Sequence, residues 1–172
     1  GKSVIFNHLT GLHQHIGNWP GKTVEKAEGT LHYKGYTVDV IDLPGTRSLS
    51  TYSLEELITR EYIFSEKPDF IANIIDSTNL ETNLMFTLQL LELERPLVLV
   101  LNMTDLLKRK GITIDFQKLE TILGIPVIPT IAARGKGLTG VLDRGISLDY
   151  QKTKPKTLKY GKEVEERIEQ LC

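Results

Sequence analysis

The sequence predicts an α/β domain, a mostly parallel sheet flanked by helices. Three observations predict it. Short apolar runs alternate with stretches of helical periodicity along most of the chain, the pattern of repeated βα units. One run, Leu97-Val98-Leu99-Val100-Leu101, has no polar face, so it belongs inside a sheet covered on both sides. Clusters rich in Asp, Asn, Gly and Pro follow the apolar runs at 42–45 and 102–105, at the strand ends where open parallel sheets hold ligands.

The elements follow in order. Residues 3–10 read as a first helix, stopped by Gly11. Residues 13–28 are polar and Gly-rich and read as a loop. Strands at 30–33 and 36–41 flank Lys34-Gly35, a two-residue hairpin turn. A loop over 42–50 leads to a helix at 53–64, whose apolar face is Leu54, Leu57, Ile58, Tyr62 and Ile63. Residues 70–75 form a buried strand. The helix at 80–93 turns Leu84, Leu88 and Leu91 inward. Residues 96–101 are the buried strand named above, 115–123 a helix and 127–131 the last strand. Residues 138–146 read as helical, although Gly140 and Gly145 weaken the pattern. Residues 1–150 thus make one domain. Residues 151–158, with Pro155 and several lysines, read as a linker. Residues 159–172 then begin a charged helix with Glu163, Glu165 and Glu166 near its positive end, the start of a second, helical domain.

Composition narrows the functional classes. The 172 residues carry a net charge of −1, so bulk attraction to nucleic acid is not indicated. A single cysteine, Cys172, rules out an internal disulfide framework and fits a reducing compartment. No apolar run is long enough to cross a bilayer, and no signal peptide is visible.

Four motifs carry chemistry, in an order that suits a guanine-nucleotide switch. Gly1-Lys2-Ser3 opens a helix and matches the end of the phosphate loop G-x-x-x-x-G-K-[ST]. A helix N-terminus offers free N–H groups to an anion; Lys2 reaches phosphate and the Ser3 hydroxyl can ligate Mg2+. The pattern expects the rest of that loop, and a central strand before it, upstream of Gly1. Thr23 lies in the polar segment Gly21-Lys22-Thr23-Val24-Glu25, where a hydroxyl on a movable loop can meet Mg2+ and the terminal phosphate. Asp42-Leu43-Pro44-Gly45 places a carboxylate for Mg2+, through water, and a glycine amide for phosphate. The same residues would make an ordinary turn. Asn102-Met103-Thr104-Asp105 ends a strand with a carboxylate that can accept from guanine N1–H and N2–H₂, a donor pair adenine lacks. Thr104 or Asp105 could also cap a helix. After the last strand, Ile131-Ala132-Ala133 would let backbone N–H groups approach guanine O6. His13 and His15 read as solvated loop residues rather than metal ligands.

Together these residues resemble the cytosolic G domain of FeoB-type ferrous-iron transporters, a Ras-like P-loop GTPase fold. The specific stretches are 6–11, the Gly17-Asn18-Trp19-Pro20-Gly21-Lys22-Thr23-Val24-Glu25 segment, 42–45 continuing to 52–56, 76–81, and 102–105 with Met103 in place of a lysine. The resemblance implies that Lys2, Thr23, Asp42 and Gly45 serve catalysis and that Ser3, Thr23 and Asp42 hold Mg2+. It implies nucleotide contacts from 1–3, 21–25, 42–45, 102–105 and 131–133. It also implies an attached helical domain and membrane permease, a place on the cytoplasmic face of the membrane, K+ held by an asparagine upstream of Gly1, and a homo-oligomer as an assembly to test. Two departures stand out: Arg47 where tyrosine is frequent, and Ile131 where serine is usual.

Thr46 occupies the position where Ras-like enzymes carry a water-orienting glutamine, and its side chain is too short for that task. Slow intrinsic GTP hydrolysis is therefore expected. A ribosome- or RNA-associated GTPase and a non-catalytic guanine-nucleotide sensor are the rival readings. The first would want a basic RNA-binding module, and none appears.

Overall fold

The computed structural model describes residues 1–11, 14–46, 48–49 and 53–148. The expected linker at 151–158 and the helix after it lie outside the described residues, as do His13 and Arg47. The elements run α1 (Lys2–Thr10), β1 (Gln14–Asn18), β2 (Glu25–Tyr33), β3 (Tyr36–Asp42), α2 (Leu54–Glu66), β4 (Ile71–Asp76), α3 (Leu80–Glu92), β5 (Leu97–Asn102), α4 (Thr104–Leu107), α5 (Phe116–Leu123), β6 (Val127–Pro129) and α6 (Leu138–Ile146). They form two three-stranded sheets. One is parallel, in the order β4-β5-β6; the other is an antiparallel meander, β1-β2-β3.

β5 is the centre of the parallel sheet, and its sequence says why. Leu97, Leu99 and Leu101 face one side, into a cluster with Ile63, Leu90, Leu91 and Leu123. Val98 and Val100 face the other, with Ile5, Ala132, Leu138 and Val141. All five are at most 1% exposed. Apolar residues at every position satisfy both faces at once, which the β2–β3 pair does not need to do. α3 differs slightly from its expected face: Thr87, Leu90 and Leu91 are buried, while Leu84 and Leu88 are only partly buried. The Thr87 hydroxyl accepts a bond of 2.8 Å from the buried Asn73 amide, which explains a polar residue there.

The β2–β3 hairpin turns at Lys34 (φ 49°) and Gly35 (φ 85°), the pair of left-handed conformations a two-residue turn requires. Its tip is tied to α6, where Asp143 accepts from Tyr33 Oη at 3.0 Å and from Lys34 Nζ at 2.5 Å. α2 starts with a capping box: the Glu56 amide donates to Ser53 Oγ and the Ser53 amide to the Glu56 carboxylate. Beneath α6, Gly145 lies flat against the Phe70 ring, and a methyl group there would collide with it.

Two expectations need correction. Residues 14–18 and 25–28 are strand rather than loop. β1 is an edge strand whose residues are mostly exposed, so it lacks the apolar alternation that marks a strand; its ladder to β2 is held by backbone bonds. The last strand ends at Pro129, not 131. Ile131 instead makes a local antiparallel bridge to Lys136, which turns the chain into a 3₁₀ turn at Ala132–Arg134.

Candidate functional site

The start of α1 lies between the other motifs. Gly1 is its N-cap with no side-chain cap, so the amides of the first turn are left to other partners. Lys2 Nζ pairs with Asp42 Oδ1 at 3.0 Å and donates to the Leu43 carbonyl, so the first motif touches the third directly. On its other side the Gly1 backbone passes Asn102: a methyl group at Gly1 would sit 3.4 Å from Asn102 Nδ2. The first motif therefore meets the fourth as well.

Asn102 is buried and ties the chain that follows β5 to the chain that follows β6. Its Oδ1 accepts from the Ala132 amide at 2.9 Å and from Thr130 Oγ1 at 3.3 Å. Thr104 donates through both its amide (3.3 Å) and its hydroxyl (3.1 Å) to the Thr130 carbonyl. The Thr130 amide returns to the Leu101 carbonyl at 2.8 Å. Met103 sits in a left-handed conformation (φ 64°) at the N-cap of α4, which puts Asp105 in the first helical turn. Asp105 is exposed, and its carboxylate has no bond to any described residue. Ala132 has spent its amide on Asn102, so of the alanine pair only the exposed Ala133 is left without that tie.

Thr130 was not found by sequence reasoning. A threonine at a strand end is an ordinary β residue, and only the fold reveals it as the residue on which three segments converge.

The Thr23 segment behaves differently. β1 and β2 form a hairpin whose closing turn spans 19–24, and Ala27 pairs with Asp42, so this turn lies at the Asp42 end of the sheet. Thr23 is exposed and bonds to no described residue. Lys22 pairs with Glu61 of α2 at 2.9 Å rather than with the Lys2–Asp42 group. Thus Gly1, Lys2, Asp42, Leu43, Asn102 and Ala132 are joined by contact or close approach, and Thr23 is not.

Ser3 follows Lys2 in the first turn of α1 and Asp42 pairs with Lys2, so Ser3 and Asp42 are the oxygen-bearing residues of this group that could serve a hard cation. Among the described residues no group of three or more His, Cys, Asp or Glu could hold a metal ion, and His15 stands exposed. Thr46 Oγ1 is buried without a partner among the described residues, so this hydroxyl points away from solvent.

The family described as Ferrous iron transport protein B matches residues 1–144. The chain belongs to this family. A Porphyromonas gingivalis protein, the Fe(2+) transport protein A/Fe(2+) transporter FeoB fusion protein, is 45% identical over 175 residues, covering 99% of this chain and 21% of its own. The cytosolic domain of the T. maritima FeoB iron transporter in its GMPPNP form superposes with a TM-score of 0.91 at 40% identity, covering 99% of this chain and 68% of that one. An S. thermophilus NFeoB mutant bound to GDP gives 0.92 at 37% identity, with 99% and 66% covered. The chain spans about a fifth of the length of the curated relatives it matches. No helix among its described residues is long and apolar enough to cross a membrane.

Proposed function

We propose that this chain is the GTP- and GDP-binding switch domain of a ferrous-iron transporter, acting on the cytoplasmic side of an attached membrane permease. The observation that carries it is the meeting of motifs at α1: Lys2 on Asp42, Gly1 on Asn102, Asn102 on Ala132. Related FeoB domains held GMPPNP and GDP. In this reading the first-turn amides of α1 and Lys2 receive phosphate, and Gly45 offers its amide to the terminal one. The free carboxylate of Asp105 accepts the guanine N–H pair, while Asn102 and Thr130 hold its loop in place. Ser3, Asp42 and, once its segment moves, Thr23 would hold Mg2+. That ion, when bound, neutralises phosphate charge and so lowers the barrier to transfer.

GTP hydrolysis is part of the proposal, and slow. The buried Thr46 hydroxyl leaves the backbone around Gly45 and Thr46 to position water. K+, the helical domain beyond residue 150 and homo-oligomerisation rest on the resemblance alone. The same Thr46 observation favours one second reading, a nucleotide sensor whose binding alone regulates the permease. Calorimetry on the full natural chain tests the first part: GTP and GDP should bind at least about a hundredfold tighter than ATP. Equal affinity for ATP would overturn it. A single-turnover GTP assay then separates slow enzyme from sensor.

A further inference from the structure

We propose that Trp19 is a latch that pins the Thr23 segment to α2, and that its release accompanies the engagement of Thr23 with bound GTP. The proposal rests on the nucleotide-binding reading above and assigns Trp19 as a positioning residue. Trp19 is the chain's one tryptophan and sits in the turn between β1 and β2. Its backbone closes that turn: its amide donates to the Val24 carbonyl and its carbonyl accepts from the Lys22 amide, both at 2.9 Å. Its indole is only 9% exposed, although its segment is otherwise largely solvated. The ring meets Tyr62 of α2 edge-on, with centroids 5.4 Å apart and planes at 76°. Lys26 Nζ lies 5.5 Å from the indole centroid. One residue before Tyr62, Glu61 takes the ammonium of Lys22. Two neighbouring residues of α2 therefore grip the turn that carries Thr23 at Trp19 and at Lys22, and α2 itself follows the Gly45 loop.

The grip has a built-in cost. The indole Nε1–H is buried with no acceptor among the described residues. A buried donor without a partner makes this arrangement one that a second, better satisfied arrangement can displace, as a two-state switch needs. In the latched arrangement the Thr23 hydroxyl stays exposed. In the proposed switch a ligand that engages Thr23 binds the arrangement in which the Trp19–Tyr62 contact is released, so weakening that contact should favour that ligand selectively.

The test uses the full natural chain labelled with 5-fluorotryptophan, the Trp19 resonance being assigned by its loss in Trp19→Phe. Its ¹⁹F shift should differ between the GDP-loaded and GMPPNP-loaded protein. Tyr62→Leu should raise the affinity for GMPPNP relative to GDP by about two- to tenfold, the range of an aromatic pair. Glu61→Gln should act in the same direction by less than about threefold, as expected of an exposed ion pair, and serves if Tyr62→Leu does not fold. An identical Trp19 resonance in both nucleotide states would overturn the latch. So would variants that change both affinities equally, which marks a purely structural contact. Failure of the unsubstituted chain to bind either nucleotide would remove the nucleotide reading and the latch with it.

Discussion

The two sheets of this molecule are built on different principles. The parallel sheet buries its central strand on both faces and fastens the carboxyl ends of β5 and β6 with a network around Asn102 and Thr130. The antiparallel meander is exposed along β1, and the turn that carries Thr23 is tied to α2 through the Trp19–Tyr62 ring contact and the Lys22–Glu61 ion pair. The contrast teaches a division of labour. Base recognition needs a fixed edge, because a misplaced donor or acceptor costs as much as an absent one. Nucleotide sensing needs a segment with two arrangements of similar free energy, and those are drawn from weakly packed parts of a fold.

The contrast can be broken first at its foundation. Leu99→Ala at the heart of β5 should cost about 3 kcal/mol, whereas Ile16→Ala on exposed β1 should cost less than about 0.5 kcal/mol, both read from urea unfolding. Similar costs would mean that the two sheets are equally built. Asp105→Asn sharpens the fixed end: GTP affinity should fall on the order of a hundredfold, about 2.7 kcal/mol, with preference moving toward XTP. On the other side, Ser53→Ala removes the cap of α2 and should lower stability by about 1 kcal/mol in thermal unfolding.

The smallest effect lies at the bond between the meander and α6. The Lys34 ammonium and the Tyr33 hydroxyl hold the Asp143 carboxyl below its ordinary value of 3.8, and Asp143 holds Lys34 above 10.5. A depressed carboxyl gives stability that is present above pH 3.8 and lost as pH falls through the folded value. A raised amine gives stability that is present below pH 10.5 and lost above it. Both groups are exposed, so the effect is small and salt-sensitive. Asp143→Asn should flatten this contribution at both ends of the pH–stability curve, and added salt should do the same to the unsubstituted chain.

Legibility in the sequence followed the same division. The run from Leu97 to Leu101 announced β5 because burial on two faces leaves no position for a polar residue. Lys34-Gly35 announced its hairpin because few dipeptides accept two left-handed residues. β1 was misread because an edge strand is held by its backbone, and backbone bonds leave little mark on side-chain choice. At the site, Lys2, Asp42 and Asn102 stand out in the sequence by their motifs, and the structure brings them together. Thr130 and the Trp19–Tyr62 contact do not: each joins segments far apart in the chain, and side-chain type does not say which distant partner a residue meets.

Gly145 and Phe70 make one interlocking joint, a flat ring against a missing side chain. Such a joint constrains inheritance in pairs. Bulk at 145 would push the Phe70 ring aside, and loss of the ring with Gly145 kept would leave a gap beneath α6. Drift at these two positions should therefore be coupled.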